Sequence, residues 1–253
     1  MKLRKLRRDR AFRCGPELFL SERAFADCLD RIGLIHRRFR SALLIGCPNP
    51  DWVERLSELA DRVDVLDPGP AFARAAGGGE VIEDELVAQV GAYDLCVAVG
   101  TLDTVNDLPQ ALARIRLTLR PDAFFLGAMA GGETLPQLRA AMRAADEVRG
   151  EAVPHVHPRI EPGALATLLT AADLTMPVVD VDRVRVSYET LARLIEDLRS
   201  MGSTNLLAQR SRRPLSKAEW RAAAEAFAGA RQGDRTTETF EILHFAAWTA
   251  RER

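Results

Sequence analysis

The sequence predicts an α/β fold, with a mostly parallel sheet and helices on both faces. Three observations carry this. Short apolar runs at 41–45, 63–66, 93–99 and 123–129 alternate with stretches of helical periodicity. Each run ends in turn-forming residues, as strands feeding crossover helices do. The chain has 253 residues and is 47% hydrophobic, enough to cover a sheet on both sides.

In chain order, Leu18, Phe25, Cys28, Leu29 and Ile32 share a face at helical spacing, which predicts a helix within 17–38. Ser21 with Glu22 marks an alternative start one turn later. Ser41–Ile45 is the first strand, and Gly46-Cys47-Pro48-Asn49-Pro50 the turn that ends it. A helix follows from Asp51 to Leu59, with Asp51 as its cap and Glu54 completing a capping box. Val63–Leu66 is the second strand, closed by Asp67-Pro68-Gly69-Pro70, and Val81-Ile82 a very short third. Tyr93–Val99 is apolar on both faces and reads as a central strand ending at Gly100-Thr101-Leu102-Asp103. A helix over 108–119, a turn at Arg120-Pro121-Asp122 and a strand over 123–129 come next. Helices are expected from Gly132 to Val148 and over 163–172. In 178–188, Val179, Val181, Val184 and Val186 alternate with charged residues, as in a half-exposed strand near the sheet edge. Residues 189–230 are helical and basic, broken at Gly202 and Pro214, and Thr239–Thr249 is a last strand. Two late strands around a helical insertion suggest an antiparallel finish to the sheet. The expected organisation is an N-terminal basic arm and helix over 1–40, then one domain over 41–253 with the insertion at about 189–235.

Composition excludes several classes. Lys+Arg is 35 and Asp+Glu 36, a net charge of −1, so no global positive field for nucleic acid exists. No stretch approaches 18 apolar residues, and none is expected to cross a membrane. The opening MKLRKLRRDRAFR is basic without the apolar core of a secretory signal. Leu3 and Leu6 among arginines allow a membrane-surface helix, and the favoured reading is a solvated arm docked on an acidic surface. Cys14, Cys28, Cys47 and Cys96 form no CxxC pair, and His36, His155, His157 and His244 form no ligand pattern, so no metal is expected. The simple reading of four unpaired thiols is a reducing, cytoplasmic compartment. GxxxxGK[ST], GxSxG and GxGxxG are all absent, which disfavours a P-loop nucleotidase and a serine hydrolase.

Ligands of open α/β sheets sit outside the C-terminal strand ends where strand order reverses. The loops at 46–51, 67–70, 83–86 and 100–104 qualify. Asp67 can accept two hydrogen bonds from a ribose diol, or be a plain turn residue before Pro68. Asp84 can face an adenine amino group, or cap a helix. The leucines of 189–235 predict a packed helical hairpin. Its arginines Arg193, Arg199, Arg210, Arg212 and Arg213 leave open a docking role for an acidic acceptor, beside the plainer reading of a solvated face.

The order of elements resembles the class I S-adenosylmethionine-dependent methyltransferases, a Rossmann-like seven-stranded sheet with an antiparallel last strand. More closely, the chain resembles the mitochondrial complex I assembly factor 5 group and its bacterial relatives, near the BioC-like methyltransferases. The likeness is carried by Arg8-Asp9-Arg10-Ala11, Tyr93-Asp94-Leu95, Asn106-Asp107-Leu108-Pro109, Leu119-Arg120-Pro121-Asp122 and His157-Pro158-Arg159. Its most distinctive parts are Glu196–Gly202 with Asn205, and Phe240-Glu241-Ile242 with Trp248. The resemblance implies S-adenosyl-L-methionine as cofactor. The contacts it implies are Gly46 and Cys47 from the first loop, Asp67 on the ribose, Asp84 near the adenine, and Gly100, Thr101 and Leu102 beside the cofactor. It also implies an acidic partner such as acyl carrier protein or a respiratory complex subunit. The chain departs from the family's DxGxGxG motif. Leu44 stands where the acid would be, and Pro48 and Pro50 stand at glycine positions, each fixing φ and removing a donor. The resulting expectation is a methyltransferase-like protein acting on a protein or carrier-bound acceptor. The alternatives are a non-catalytic assembly factor and an arginine hydroxylase-like modifier. No catalytic base stands out.

Overall fold

A computed structural model describes residues 2–87 and 89–251. Parallel strands β1 (Ala42–Ile45), β2 (Val63–Asp67), β3 (Gly79–Glu80), β4 (Tyr93–Val99) and β5 (Leu119–Ala130) are followed by β6 (Thr175–Tyr188), β7 (Arg231–Gln232) and β8 (Arg235–Trp248). The sheet order is β3-β2-β1-β4-β5-β8-β6, and the two-residue β7 folds back on β8. β8 runs antiparallel to both β5 and β6. The chain leaves β1 toward β3 and returns beside β1 as β4, so strand order reverses between β1 and β4. That reversal opens a crevice at their carboxyl ends.

The pleat sorts β1 between two cores. Leu43 and Ile45 pack with Cys96, Ala98 and Phe125 under α5 (Leu108–Thr118) and α7 (Pro162–Ala171). Ala42 and Leu44 pack with Leu95, Val97 and Phe124 under α2 (Phe19–Gly33) and α3 (Asp51–Ser57). All four β1 side chains are buried, as the continuous apolar run requires. Leu44, which stands where the family carries an acid, is therefore a core residue of the second face. A third cluster joins α6 (Pro136–Arg149), α8 (Leu191–Ser200) and α9 (Lys217–Gly229). There Leu191, Leu194 and Leu198 are buried, which is the packed hairpin the sequence predicts.

Several local expectations are corrected. The third strand is Gly79–Glu80, and Val81 turns into the core beneath α5 instead. Asp51 caps nothing: Pro50 is the N-cap of α3, and the Asn49 side chain accepts from the Asp51 N–H at 3.1 Å. Arg120-Pro121-Asp122 does not end an element. It is a bulge inside the longer β5, with Asp122 at φ +55° and a register shift against β4. α2 starts at Phe19 and stops at Gly33, inside the predicted limits.

The largest difference lies at the N-terminus. The arm is a helix, α1 (Lys2–Cys14), and it packs against the short α4 (Pro70–Ala75), from which it is distant in sequence. α1 does dock on acidic groups, but it is not simply solvated: Arg4 is 4% exposed and Ala11 1%.

Candidate functional site

The crevice is built by loops at the ends of β1, β2 and β4. Gly46 leaves β1 at φ +84°. A Cβ there would overlap the Val99 carbonyl oxygen and lie 2.5 Å from Thr101 Cγ2, so only glycine lets the first loop touch the loop after β4. Cys47 then points its N–H at the Asp67 carboxylate, 2.8 Å from Oδ2. Its thiol is buried, donates to the Asn49 carbonyl and is pushed up to about 12 by burial and by Asp67. Pro48 lines the cavity beyond.

Asp67 ends β2 and is fully buried. Oδ1 accepts from Gly69 N at 2.6 Å and Oδ2 from Cys47 N. The remaining positions are taken by Arg8 of α1, whose Nε lies 2.9 Å from Oδ1 and whose terminal nitrogen lies 2.6 Å from Oδ2. A carboxylate offers about four acceptor positions, and all are used. Burial works to lower the Arg8 pKa, but Asp67, with Glu83 and Asp103, more than offsets it and raises it.

One turn earlier on the same helix face, Arg4 repeats the arrangement. It forms a two-pronged pair with the buried Glu83, at 2.6 and 2.8 Å, and donates to the Thr101 carbonyl at 2.6 Å. Asp84 sends Oδ2 to the Asp107 N–H at 3.2 Å, while its Oδ1 is buried without a partner, as is Thr101 Oγ1. Asp9 accepts from Ala71 N at the start of α4, and Phe12 meets Phe72 edge-on, with centroids 5.2 Å apart.

The other half of the crevice is open. A cavity of about 140 Å³ lies between the ends of β4 and β5 and the helices α2 and α8; Gly100, Ser21, Glu17, Met201, Phe240 and Glu241 line it, and Arg8 forms one wall. Beside it Arg159 pairs with Asp103, and His157 Nε2 accepts from the Leu206 N–H at 2.9 Å. Burial and Arg159 lower the His157 pKa.

The structure thus brings Gly46, Cys47, Asp67 and Thr101 together at the ends of β1, β2 and β4, with Gly100 lining the cavity, whereas Asp84 sits against the Asp107 N–H at the start of α5. Leu102 is turned into the core under α5 and takes no part in its lining. Sequence reasoning missed Arg4, Arg8 and Glu83. Their available signal was the four-residue spacing of two arginines, which places both on one helix face. His155 and His157 hold no metal-like geometry, and among the described residues no group of three or more His, Cys, Asp or Glu side chains could hold an ion.

No family model matches the chain. It is similar to arginine-hydroxylase NDUFAF5, mitochondrial, of Danio rerio, with 32% identity over 242 residues covering 91% of this chain and 75% of the relative. It is also similar to the malonyl-[acyl-carrier protein] O-methyltransferase of Xylella fastidiosa, with 32% identity over 148 residues, 58% of this chain and 48% of the relative. Among solved structures, the YcgJ protein of Bacillus subtilis shares the fold with a TM-score of 0.59 at 10% identity, over 88% of this chain and 97% of that one. A phosphoethanolamine N-methyltransferase 2 of Haemonchus contortus does so at 0.51 and 11%, over 85% and 50%. By its sheet order, its carboxyl-end crevice and its sequence, the chain has the class I methyltransferase fold and belongs to the family of the mitochondrial arginine-hydroxylase NDUFAF5, near the malonyl-acyl carrier protein O-methyltransferases.

Proposed function

We propose that the protein is an S-adenosyl-L-methionine-dependent methyltransferase acting on a protein or on a carrier-protein-bound acceptor. The observation that carries this is the placement of the buried Asp67 carboxylate at the strand reversal, separated from an open cavity by its partner Arg8, which lines that cavity. The chain's residues fit an adenosyl group in part. Asp67 stands where a ribose diol would donate, and Asp84 Oδ1 and Thr101 Oγ1 are buried without partners in the neighbouring loops. Gly100 leaves space beside the cavity, with nothing within 4 Å of its missing Cβ. Pro48 and Pro50 supply no N–H, so the first loop contributes the Cys47 amide only through Asp67.

When bound, the cofactor would supply an electrophilic methyl group. The chain would position the acceptor in the cavity under α2 and α8 and keep water from it, since positioning and desolvation do most of the work in such transfers. The acceptor reading is supported by an unpaired basic cluster flanking Arg8 and Ser200, which line the cavity. Arg7 of α1 has Arg210, Arg10 and Arg199 around it, close enough that, after burial, they lower its pKa. Among the described residues none of these four pairs with a carboxylate, whereas Arg193 and Arg213 pair with Glu196 and Glu219. An acidic protein such as acyl carrier protein, or an acidic face of a respiratory complex subunit, suits that cluster. Four free thiols, three of them buried, support a reducing compartment such as the cytoplasm, and no helix among the described residues is long and apolar enough to cross a membrane.

Calorimetric titration with S-adenosylmethionine and S-adenosylhomocysteine tests the cofactor. Saturable binding supports the reading, and none up to about 1 mM ends it. The second reading, a non-catalytic assembly factor or an arginine hydroxylase-like modifier, is favoured by the Arg8–Asp67 pair, which fills the ribose position with the chain's own side chain. Co-purification with a respiratory subunit, without methyl transfer to any acceptor, would support it.

A further inference from the structure

We propose that α1 is a strap that closes the nucleoside half of the crevice, with Arg8 standing in for the ribose on Asp67, and that an adenosyl ligand enters only when α1 lifts. This rests on the cofactor reading above. Arg8 presents two parallel N–H donors to the two carboxylate oxygens, the same pattern that the two hydroxyls of a ribose would present. With Cys47 and Gly69 donating to the same oxygens, guanidinium and diol compete for one set of acceptors. Arg4 closes the adjoining space by spanning Glu83 and the Thr101 carbonyl.

The anchoring of α1 is suited to release. Of its thirteen residues only Arg4 and Ala11 are buried, so its hold is mainly ionic, with Phe12 against Phe72 and Ala11 near Gly202 as its apolar contacts. It is joined to α2 by an irregular segment containing Gly15 at φ +86°, with open space around it, and Pro16. Rotation there frees the helix without disturbing either core. Lifting α1 leaves Asp67 with its two backbone donors, while Glu83 exchanges Arg4 for water admitted to the opened crevice.

The test is calorimetric titration of S-adenosylhomocysteine into the full chain, into Arg8→Ala and into Phe12→Ala, with amide hydrogen exchange over residues 2–14. Phe12→Ala loosens α1 without touching Asp67 or Arg8, and keeps the test valid if Arg8→Ala folds poorly. Expected is binding at least about tenfold tighter to both variants than to the unaltered chain, because the strapped state lowers apparent affinity by its population. In the unaltered chain, ligand should accelerate exchange of the α1 amides. Equal affinity for all three proteins, or binding with α1 exchange unchanged, overturns the strap and leaves the cofactor reading standing. No binding to any of the three overturns both.

Discussion

Gly46 and Gly100 offer a matched pair of perturbations at the crevice. Both have left-handed φ, +84° and +63°. Alanine at either position therefore meets the same backbone penalty, about 1–2 kcal/mol, and loses similar entropy from the unfolded chain. Only their surroundings differ. Nothing lies within 4 Å of a Cβ at Gly100, whereas a Cβ at Gly46 would overlap the Val99 carbonyl and crowd Thr101. Val99 is the last residue of β4, locked against β5, so its carbonyl cannot step aside. Forced overpacking typically adds about 1–3 kcal/mol. Gly100→Ala should thus cost about 1–2 kcal/mol and Gly46→Ala about 2–5 kcal/mol. Urea unfolding followed by far-ultraviolet circular dichroism reads both. Gly46→Ala should also part the first and fourth loops and weaken any ligand held between them. Equal destabilisation by the two substitutions would refute the close approach of the loops as the reason for glycine at 46.

The remaining predictions concern packing, charge and thiols. Phe25 is fully buried and stacks on Trp52, with ring centroids 4.2 Å apart and planes 6° apart; Phe25→Ala should cost about 3–5 kcal/mol and shift the Trp52 emission, and a cost below about 1 kcal/mol would contradict the packing. Glu219 closes the capping box of α9 and also meets Arg149 and Arg213, and the Ser216 N–H, with these arginines, holds its carboxyl down to about 2. Its folded value lies below the unfolded one, so its contribution is complete above pH ~4.5 and is lost as pH falls toward 2. The stability gap between the unaltered chain and Glu219→Gln should shrink over that interval, and a gap constant from pH 6 to pH 3 would speak against the pairing. Cys14 is exposed, while burial raises the thiols of Cys28, Cys47 and Cys96; Ellman's reagent should modify one thiol rapidly in the folded protein and four after denaturation. Rapid modification of Cys47 would mean that the first loop is open.

β1 and β4 were legible from sequence because burial on both faces leaves a nearly continuous apolar run, and β2 because turn residues bound its short run. Tyr93–Val99 matches β4 at both ends, and 63–66 matches β2 but for Asp67. β3 was misplaced because Val81 is apolar for the core, not for pairing. The Pro121 turn misled because a bulge and a chain reversal use the same residues. Asp67 and the glycines of the crevice could be found because strand ends locate them. The basic residues that meet Asp67 and Glu83 could not, since pairs separated by 59 and 79 positions leave no periodic trace and arginine normally signals a solvated surface. The hairpin leucines were readable by spacing, while the fate of its arginines depended on which acids the fold brought near.

The two outer margins of the sheet have a consequence for how this molecule meets others. At one, β3 is only two residues long. At the other, β6 begins with a register shift, Met176 in the left-handed region and Pro177 without an amide hydrogen, then carries Asp180, Asp182, Arg183 and Arg185 among its valines. A neighbouring polypeptide finds no long, flat, uncharged border to zip onto. Recruitment by annexing a strand is thereby discouraged, and so is stacking into fibres; company is steered to the helical flanks and to the rim above the strand tips.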